Sequence, residues 1–85
     1  MNESEVIESV EALPARYASR VRPEDLDGMR SMAGAGEWQE LVDVLIASLR
    51  LTRAPVTVSE RDELRSLLEA MNMPTGELSE LNTQG

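Results

Sequence analysis

The chain has 85 residues, of which 41% are hydrophobic, and it carries a net charge of −8 with neither cysteine nor histidine. A chain of this length folds around one modest core, so we predict a single domain over residues 1–85 with frayed ends at 1–3 and 82–85. The missing residue types exclude thiol chemistry and the commonest transition-metal ligands, and the acidic charge disfavours nucleic acids and anionic lipid surfaces as partners.

The amino-terminal part of the chain is predicted to form an amphipathic helix that is interrupted at a proline. From Ser4 onward its hydrophobic residues recur at helical spacing: Val6, Ile7, Val10 and Leu13. Pro14 disfavours helical dihedrals at the residue before it, so we expect a break or kink there. The stretch from Pro14 to Arg20 is then either a second short turn or a kinked continuation.

A second helix is predicted to begin at Pro23, because proline suits a first helical turn and the carboxylates that follow it complement the helix dipole. Its core face comprises Leu26, Met29 and either Met32 or Ala33. The run Ala33–Gly36 ends this helix in a tight corner. Gly28, inside the helix, costs about 1 kcal/mol relative to alanine, and the sequence offers no reason for it.

The strongest periodic pattern predicts a central core helix after Gly36. Its apolar face is Trp38, Leu41, Val42, Leu45, Ile46 and Leu49. Pro55 breaks this helix, and the pair Thr57 and Glu60 has the spacing of a capping box that starts the next one. That helix packs through Leu64, Leu67, Leu68 and Met71.

The end of the chain is predicted to contain a turn at Met73–Gly76 and one last short helix carrying Leu78 and Leu81. Strand character is confined to Val56–Val58. The sequence therefore predicts an all-α fold, a compact bundle of four to five short helices, with a core of aliphatic residues and methionine.

The amino terminus, Met1–Glu5, is acidic and is not followed by an apolar run, and the longest apolar stretch, Val44–Ala47, is too short to span a bilayer. We therefore expect a cytoplasmic protein that has no membrane partner.

Motifs that carry chemistry are not apparent in the sequence. The Gly34–Gly36 fragment is only part of a dinucleotide fingerprint and follows no strand, so it is better explained as a corner between helices. Glu37, Glu40 and Asp43 share a helix face that could in principle hold metals, but such sites normally recruit histidine, and a solvated acidic face is the simpler interpretation. We expect no catalytic residues, no metal and no cofactor.

Charge is distributed unevenly along the chain. Residues 1–13 contain four glutamates and no cation, residues 23–43 contain six acids against Arg30, and three arginines lie between these two blocks. The acids are either exposed faces with local arginine partners or a docking surface that attracts a basic protein. Trp38 is similarly open to two interpretations, a core anchor or an interface residue.

From Arg22 onward, about two thirds of the chain resembles the small helical immunity proteins of bacterial polymorphic toxin systems, notably the MafI-type immunity family. The matching segments are Pro23–Leu26, Gly36–Trp38, Leu41–Ile46, Ala54–Thr57, Glu60, Leu64, Leu67–Leu68 and Met71–Met73. Family members usually carry Ala-Leu-Glu in the core helix, where this chain has Glu40–Asp43.

The resemblance implies a cytoplasmic neutraliser that binds a cognate toxin domain, most simply a basic one, and blocks its active site or its access to its target. It implies no catalysis. On this hypothesis the partner-binding residues are Glu24, Asp25, Asp27, Glu37, Trp38, Glu40 and Asp43.

Three other functions remain open from the sequence. A homodimeric helical scaffold or regulatory accessory subunit would pair apolar helix faces that one small domain cannot cover. A helix-turn-helix regulator would need cations and polar base readers where Glu60, Asp62 and Glu63 lie. An enzyme would need a substrate or metal to supply the chemistry.

Overall fold

The computed structural model describes residues 2–85 and confirms the predicted small helical bundle. Within these residues the helices and strands, in chain order, are α1 (Glu3–Glu11), α2 (Leu13–Arg16), α3 (Pro23–Ala35), α4 (Trp38–Thr52), β1 (Val56–Thr57), α5 (Val58–Ala70), a 3₁₀ helix (Gly76–Glu80) and β2 (Thr83–Gln84). The predicted all-α class therefore holds, with one very short strand pair added to it.

The start of α1 is capped rather than frayed. The Asn2 side chain accepts a hydrogen bond of 2.9 Å from the Glu5 backbone amide, which satisfies one of the free amides of the first turn. Of residues 1–3, for which fraying was expected, Asn2 is the cap and Glu3 begins α1, while Met1 lies outside the described residues.

The break predicted at Pro14 is present and takes the form of a separate single-turn helix, α2, with Pro14 in its first turn. Proline lacks the backbone donor that a helix interior needs, but a first turn does not use that donor. The apolar row continues through this break, because Leu13, Tyr17 and Val21 are all buried.

Left-handed residues follow three helices; Arg53, with φ of +54°, follows α4, and the ends of α3 and α5 are built alike. Gly36, with φ of +72°, follows α3, and the amide of Glu37 donates to the carbonyl of Met32 at 2.9 Å. Asn72, with φ of +57°, plays the same part after α5, where the amide of Met73 donates to the Leu68 carbonyl at 2.8 Å. Both are Schellman-type ends.

The central helix is α4, as predicted, and the apolar positions of its inner face are buried with the exception of Trp38, which is half-buried. The core of the described residues comprises Val10, Leu13, Tyr17, Val21, Met29, Leu41, Val42, Leu45, Ile46, Leu49, Val56, Leu64, Leu67, Leu68, Leu78 and Leu81.

Helix α3 packs along α4 mainly through Met29, while Leu26, Met32 and Ala33 are half-buried at its edge. A Cβ added at Gly28 would meet only Met32 Cε, at 4.0 Å, so nothing in the structure explains this glycine.

Residues 82–85, for which fraying was expected, include a short strand, because Thr83–Gln84 pairs in parallel with Val56–Thr57. The amide of Val56 donates to the Asn82 carbonyl at 3.0 Å, and the Asn82 side chain donates to the Arg53 carbonyl at 2.9 Å. These bonds fasten the end of the chain to the connection between α4 and α5.

No helix within residues 2–85 is both long enough and apolar enough to cross a membrane.

Candidate functional site

The acids at the start of α3 are partly engaged inside the molecule. Asp25 accepts hydrogen bonds of 2.8 and 3.3 Å from the guanidinium of Arg22, whose backbone amide donates at 3.0 Å to the hydroxyl of buried Ser48 on α4. The bond from Arg22, followed by one from Ser48, lowers the pKa of the Asp25 carboxyl. The backbone amide of Arg22 thus joins the start of α3 to α4, and the Asp25 carboxylate is already occupied by the Arg22 guanidinium.

Glu24 and Asp27 are exposed, but they lie at the opposite end of α3 from Glu37 and Trp38. At 1.5 Å per helical residue, Glu24 is roughly 18 Å along the axis from the corner at Gly36. The seven residues expected to bind a partner thus fall into two groups at different ends of α3.

The structure brings Glu37, Trp38 and Glu40 together in a groove of about 540 Å³ between the starts of α1 and α4 and the end of α5. Its apolar lining is half-buried and comprises Val6, Ile7, Trp38 and Met71. Its carboxylates are exposed and belong to Glu3, Glu37 and Glu40. We call these seven residues and the space between them the acidic groove.

The corner at Gly36 positions the first turn of α4 in the groove. The left-handed conformation of Gly36 directs the chain from α3 into Glu37, which precedes α4 without using its side chain as a cap. A Cβ placed on Gly36 would lie 4.0 Å from Cζ2 of Trp38, so the indole lies beside this corner. The Glu37 carboxylate is left free to face solvent.

Glu37 and Glu40 lie three residues apart, on the same side of the start of α4. A hydrogen bond between the two carboxyl groups and their mutual repulsion raise the pKa of Glu40. The helix dipole favours negative charge at this end, but the two carboxylates still repel one another. A cation placed between them would relieve that repulsion.

One side chain joins the start of α4 to the end of α5, on one side of the groove. Gln39 Nε2 donates a hydrogen bond of 3.1 Å to the carbonyl of Met71, one of the free carbonyls that the end of α5 leaves. This bond holds the first turn of α4 against the residue that completes the apolar lining. The groove is therefore built from ordered helix ends.

Within residues 2–85 no arginine lines the acidic groove, and no ion pair neutralises its glutamates. The arginines that form ion pairs do so elsewhere; they are Arg16, Arg20, Arg22, Arg50, Arg61 and Arg65. A local arginine thus neutralises the charge of Asp25, whereas Glu37 and Glu40 have no counter-charge among the described residues. Asp43, one turn further along α4, is exposed and likewise unpaired within the described chain, but it does not line the groove.

Trp38 packs against the hydrophobic core, as one interpretation of the sequence expects, and its half-buried indole also lines the groove. Sequence reasoning missed Glu3, Val6, Ile7 and Met71. These residues come from α1 and α5, whose proximity to α4 is a property of the tertiary fold. Val6 and Ile7 appeared in the sequence only as members of an apolar helix face.

Among residues 2–85 no group of three or more acidic side chains is arranged to hold a metal ion. The acidic groove is a surface suited to binding a cationic, partly apolar ligand.

No protein-family model matches the chain, and no curated protein and no solved structure matches it either.

Proposed function

We propose that this protein is a non-catalytic binding module that recognises a basic protein partner through the acidic groove. The observation that carries the proposal is the meeting of unpaired carboxylates with a half-buried tryptophan at one end of α4. Interfaces commonly centre on an aromatic anchor surrounded by polar groups, and tryptophan is enriched among the residues that dominate binding energy.

The net charge of −8 supports a basic partner through long-range attraction as well as through contact. Opposite charge steers a partner toward the surface and raises its association rate, and the effect weakens as salt screens it. An acidic surface of this kind can also occupy a cleft that a basic nuclease uses for phosphate, which is a simple way to inhibit such an enzyme.

The biological role that we propose is immunity: the protein would act in the bacterial cytoplasm and neutralise a cognate toxin domain. Support for this role comes from the resemblance of residues 22–73 to MafI-type immunity proteins and from the character of the groove. Neutralisation needs binding alone, so the role requires no catalytic residue and no cofactor.

The homodimeric scaffold receives less support. That function needs an apolar helix face left uncovered by the monomer, whereas the predicted core faces of α4 and α5 are largely buried within one chain. Among the described large hydrophobic residues, Leu51 and Val58 are the exposed ones, and they amount to two isolated positions.

Co-expression with the candidate toxin tests the proposed function. If a gene for a large secreted protein with a variable carboxy-terminal domain lies beside this gene, that domain is the candidate toxin, and it is expressed under an inducible promoter. We expect growth arrest by the domain alone, growth rescue by this protein, and co-elution of the two chains when the toxin carries an inactivating substitution. Persistent growth arrest together with separate elution would contradict the proposal.

A further inference from the structure

We infer that the acidic groove binds an arginine side chain flanked by apolar residues, presented by a segment of the partner protein. This inference rests on the function proposed above and specifies the chemistry that the groove recognises. It follows from the aromatic lining, the paired carboxylates and the size of the groove.

The indole of Trp38 supplies the first part of the recognition. It is half-buried, so one part packs on the core while the rest faces the groove. Tryptophan is the best aromatic partner for a cation above its ring, and arginine stacks on such a ring more effectively than lysine because its guanidinium is planar and weakly hydrated.

Glu37 and Glu40 supply the second part. They line the groove three residues apart at the start of α4, both are exposed, and none of the ion pairs within residues 2–85 includes either of them. A guanidinium has five N–H donors in a planar fork and can donate to two carboxylates at once, whereas an ammonium group is a compact charge. Binding of arginine would replace a repulsive pair by two charge-assisted hydrogen bonds.

The third part is apolar and extends beyond the carboxylates. Val6, Ile7 and Met71 line the groove, and methionine adapts its shape to different apolar ligands. A volume of about 540 Å³ exceeds the needs of a single guanidinium and leaves room for apolar neighbours. The preferred ligand is therefore an arginine with aliphatic residues beside it rather than a run of basic residues.

Blocked tripeptides test this chemistry directly. Acetylated and amidated Leu-Arg-Leu is titrated into the ¹⁵N-labelled protein and compared with Leu-Lys-Leu and with Leu-citrulline-Leu, whose side chain has a similar shape but no charge. We expect shifts of the amides of Glu37, Trp38 and Ile7. The dissociation constant should be lowest for the arginine peptide and at least tenfold higher for the citrulline peptide. Trp38 is the only tryptophan of the chain, so its fluorescence reports on the same site.

A matched pair of variants separates the groove from the general negative charge. The double variant Glu37→Gln/Glu40→Gln removes two charges from the groove, and Glu8→Gln/Glu11→Gln removes two from exposed positions of α1 outside it. We expect the first to weaken binding of the arginine peptide at least tenfold and the second less than twofold. All four positions are exposed, so both variants should fold, which circular dichroism checks.

Equal affinity for the arginine and citrulline peptides, or shifts confined to residues outside the groove, would overturn the inference. The inference would also be overturned if the affinity for a partner domain changed neither with Glu37→Gln/Glu40→Gln nor with excess arginine peptide. The protein would then still bind its partner, but through another surface. Failure to bind any partner domain would instead overturn the proposed function, while specific arginine-peptide binding would still support the groove chemistry.

Discussion

The guanidinium of Arg20 donates two hydrogen bonds, each 2.8 Å long, to the carboxylate of Glu60, which lies 40 residues further along the chain. The same guanidinium lies 4.3 Å from the centre of the Tyr17 ring, and Glu60 also accepts a bond of 2.9 Å from the Thr57 amide. Glu60 thus caps α5 and joins it to the segment after α2. Its carboxylate, although charged, is almost fully buried.

Replacing Glu60 by glutamine should lower the free energy of unfolding by about 2 kcal/mol, because the charge-assisted bonds to Arg20 are weakened. Glutamine keeps an oxygen for the Thr57 amide, so the cap itself is largely retained. Chemical denaturation of both proteins measures the difference. Glu69→Gln, an exposed acid on the same helix without an ion pair among the described residues, is the control and should change stability by less than about 0.5 kcal/mol.

Stability should also depend on pH through Glu60. The hydrogen bond from Arg20, supported by that from Thr57, lowers the pKa of its carboxyl from 4.5 to about 2. A depressed pKa in the folded state contributes stability that is fully present above about pH 4.5 and is lost as the pH falls toward 2. The difference in unfolding free energy between wild type and Glu60→Gln should therefore be constant near neutral pH and shrink below pH 4.5. A difference that stays constant down to pH 2 would contradict this assignment. The repulsion between Glu37 and Glu40 acts in the opposite direction but is common to both proteins.

Two glycines near the groove should respond oppositely to alanine. Gly36 has φ of +72°, which an L-residue adopts at a cost of about 1–2 kcal/mol, so Gly36→Ala should destabilise the protein by about that amount. Gly34 is helical with open space around its Cβ position, and Gly34→Ala should stabilise the protein by about 0.5–1 kcal/mol. Thermal unfolding measures whether each substitution raises or lowers stability. Equal effects of the two substitutions would contradict the left-handed corner at Gly36.

The end of the chain should protect the connection between α4 and α5. Asn82→Ala removes the side-chain bond to the Arg53 carbonyl, and we expect a loss of about 1 kcal/mol in stability. Hydrogen exchange at the Val56 amide, which donates to the Asn82 backbone carbonyl, should speed up by at least threefold. Gln84→Ala keeps the bond to Arg53 and removes only the bond of 2.6 Å that Gln84 Nε2 donates to Asn82 Oδ1, so it should have a smaller effect on that amide. Unchanged exchange in Asn82→Ala would show that the side chain does not hold the strand pair.

The helices could largely be predicted from the sequence, since the apolar faces of α4 and α5 repeat over several turns and Pro23, Gly36 and the Thr57–Glu60 capping box mark helix ends. These signals are local. The pairing of residues 83–84 with 56–57 could not be predicted, because two-residue strands have no usable periodicity and their partners lie far apart in the chain.

The candidate site could be predicted only in part, for the same reason. Glu37, Trp38 and Glu40 are close in sequence and share the first turn of α4. Glu3 and Met71 join them only because the start of α1 and the end of α5 lie beside that turn. The charge pattern of the sequence also grouped Asp25 with the acids of α4. The sequence does not reveal that the Asp25 carboxylate is hydrogen-bonded to Arg22 and Ser48.

Docking at the acidic groove is tested by the affinity of two charge-reversed proteins for the proposed toxin domain: Glu37→Arg/Glu40→Arg and the control Glu8→Arg/Glu11→Arg. Both variants change the net charge by the same amount at exposed positions, so the long-range attraction to a basic partner weakens equally in both. Isothermal titration at constant salt should show at least a hundredfold loss of affinity for the groove variant and less than a tenfold loss for the control. Equal affinities of the two variants would contradict docking at the acidic groove.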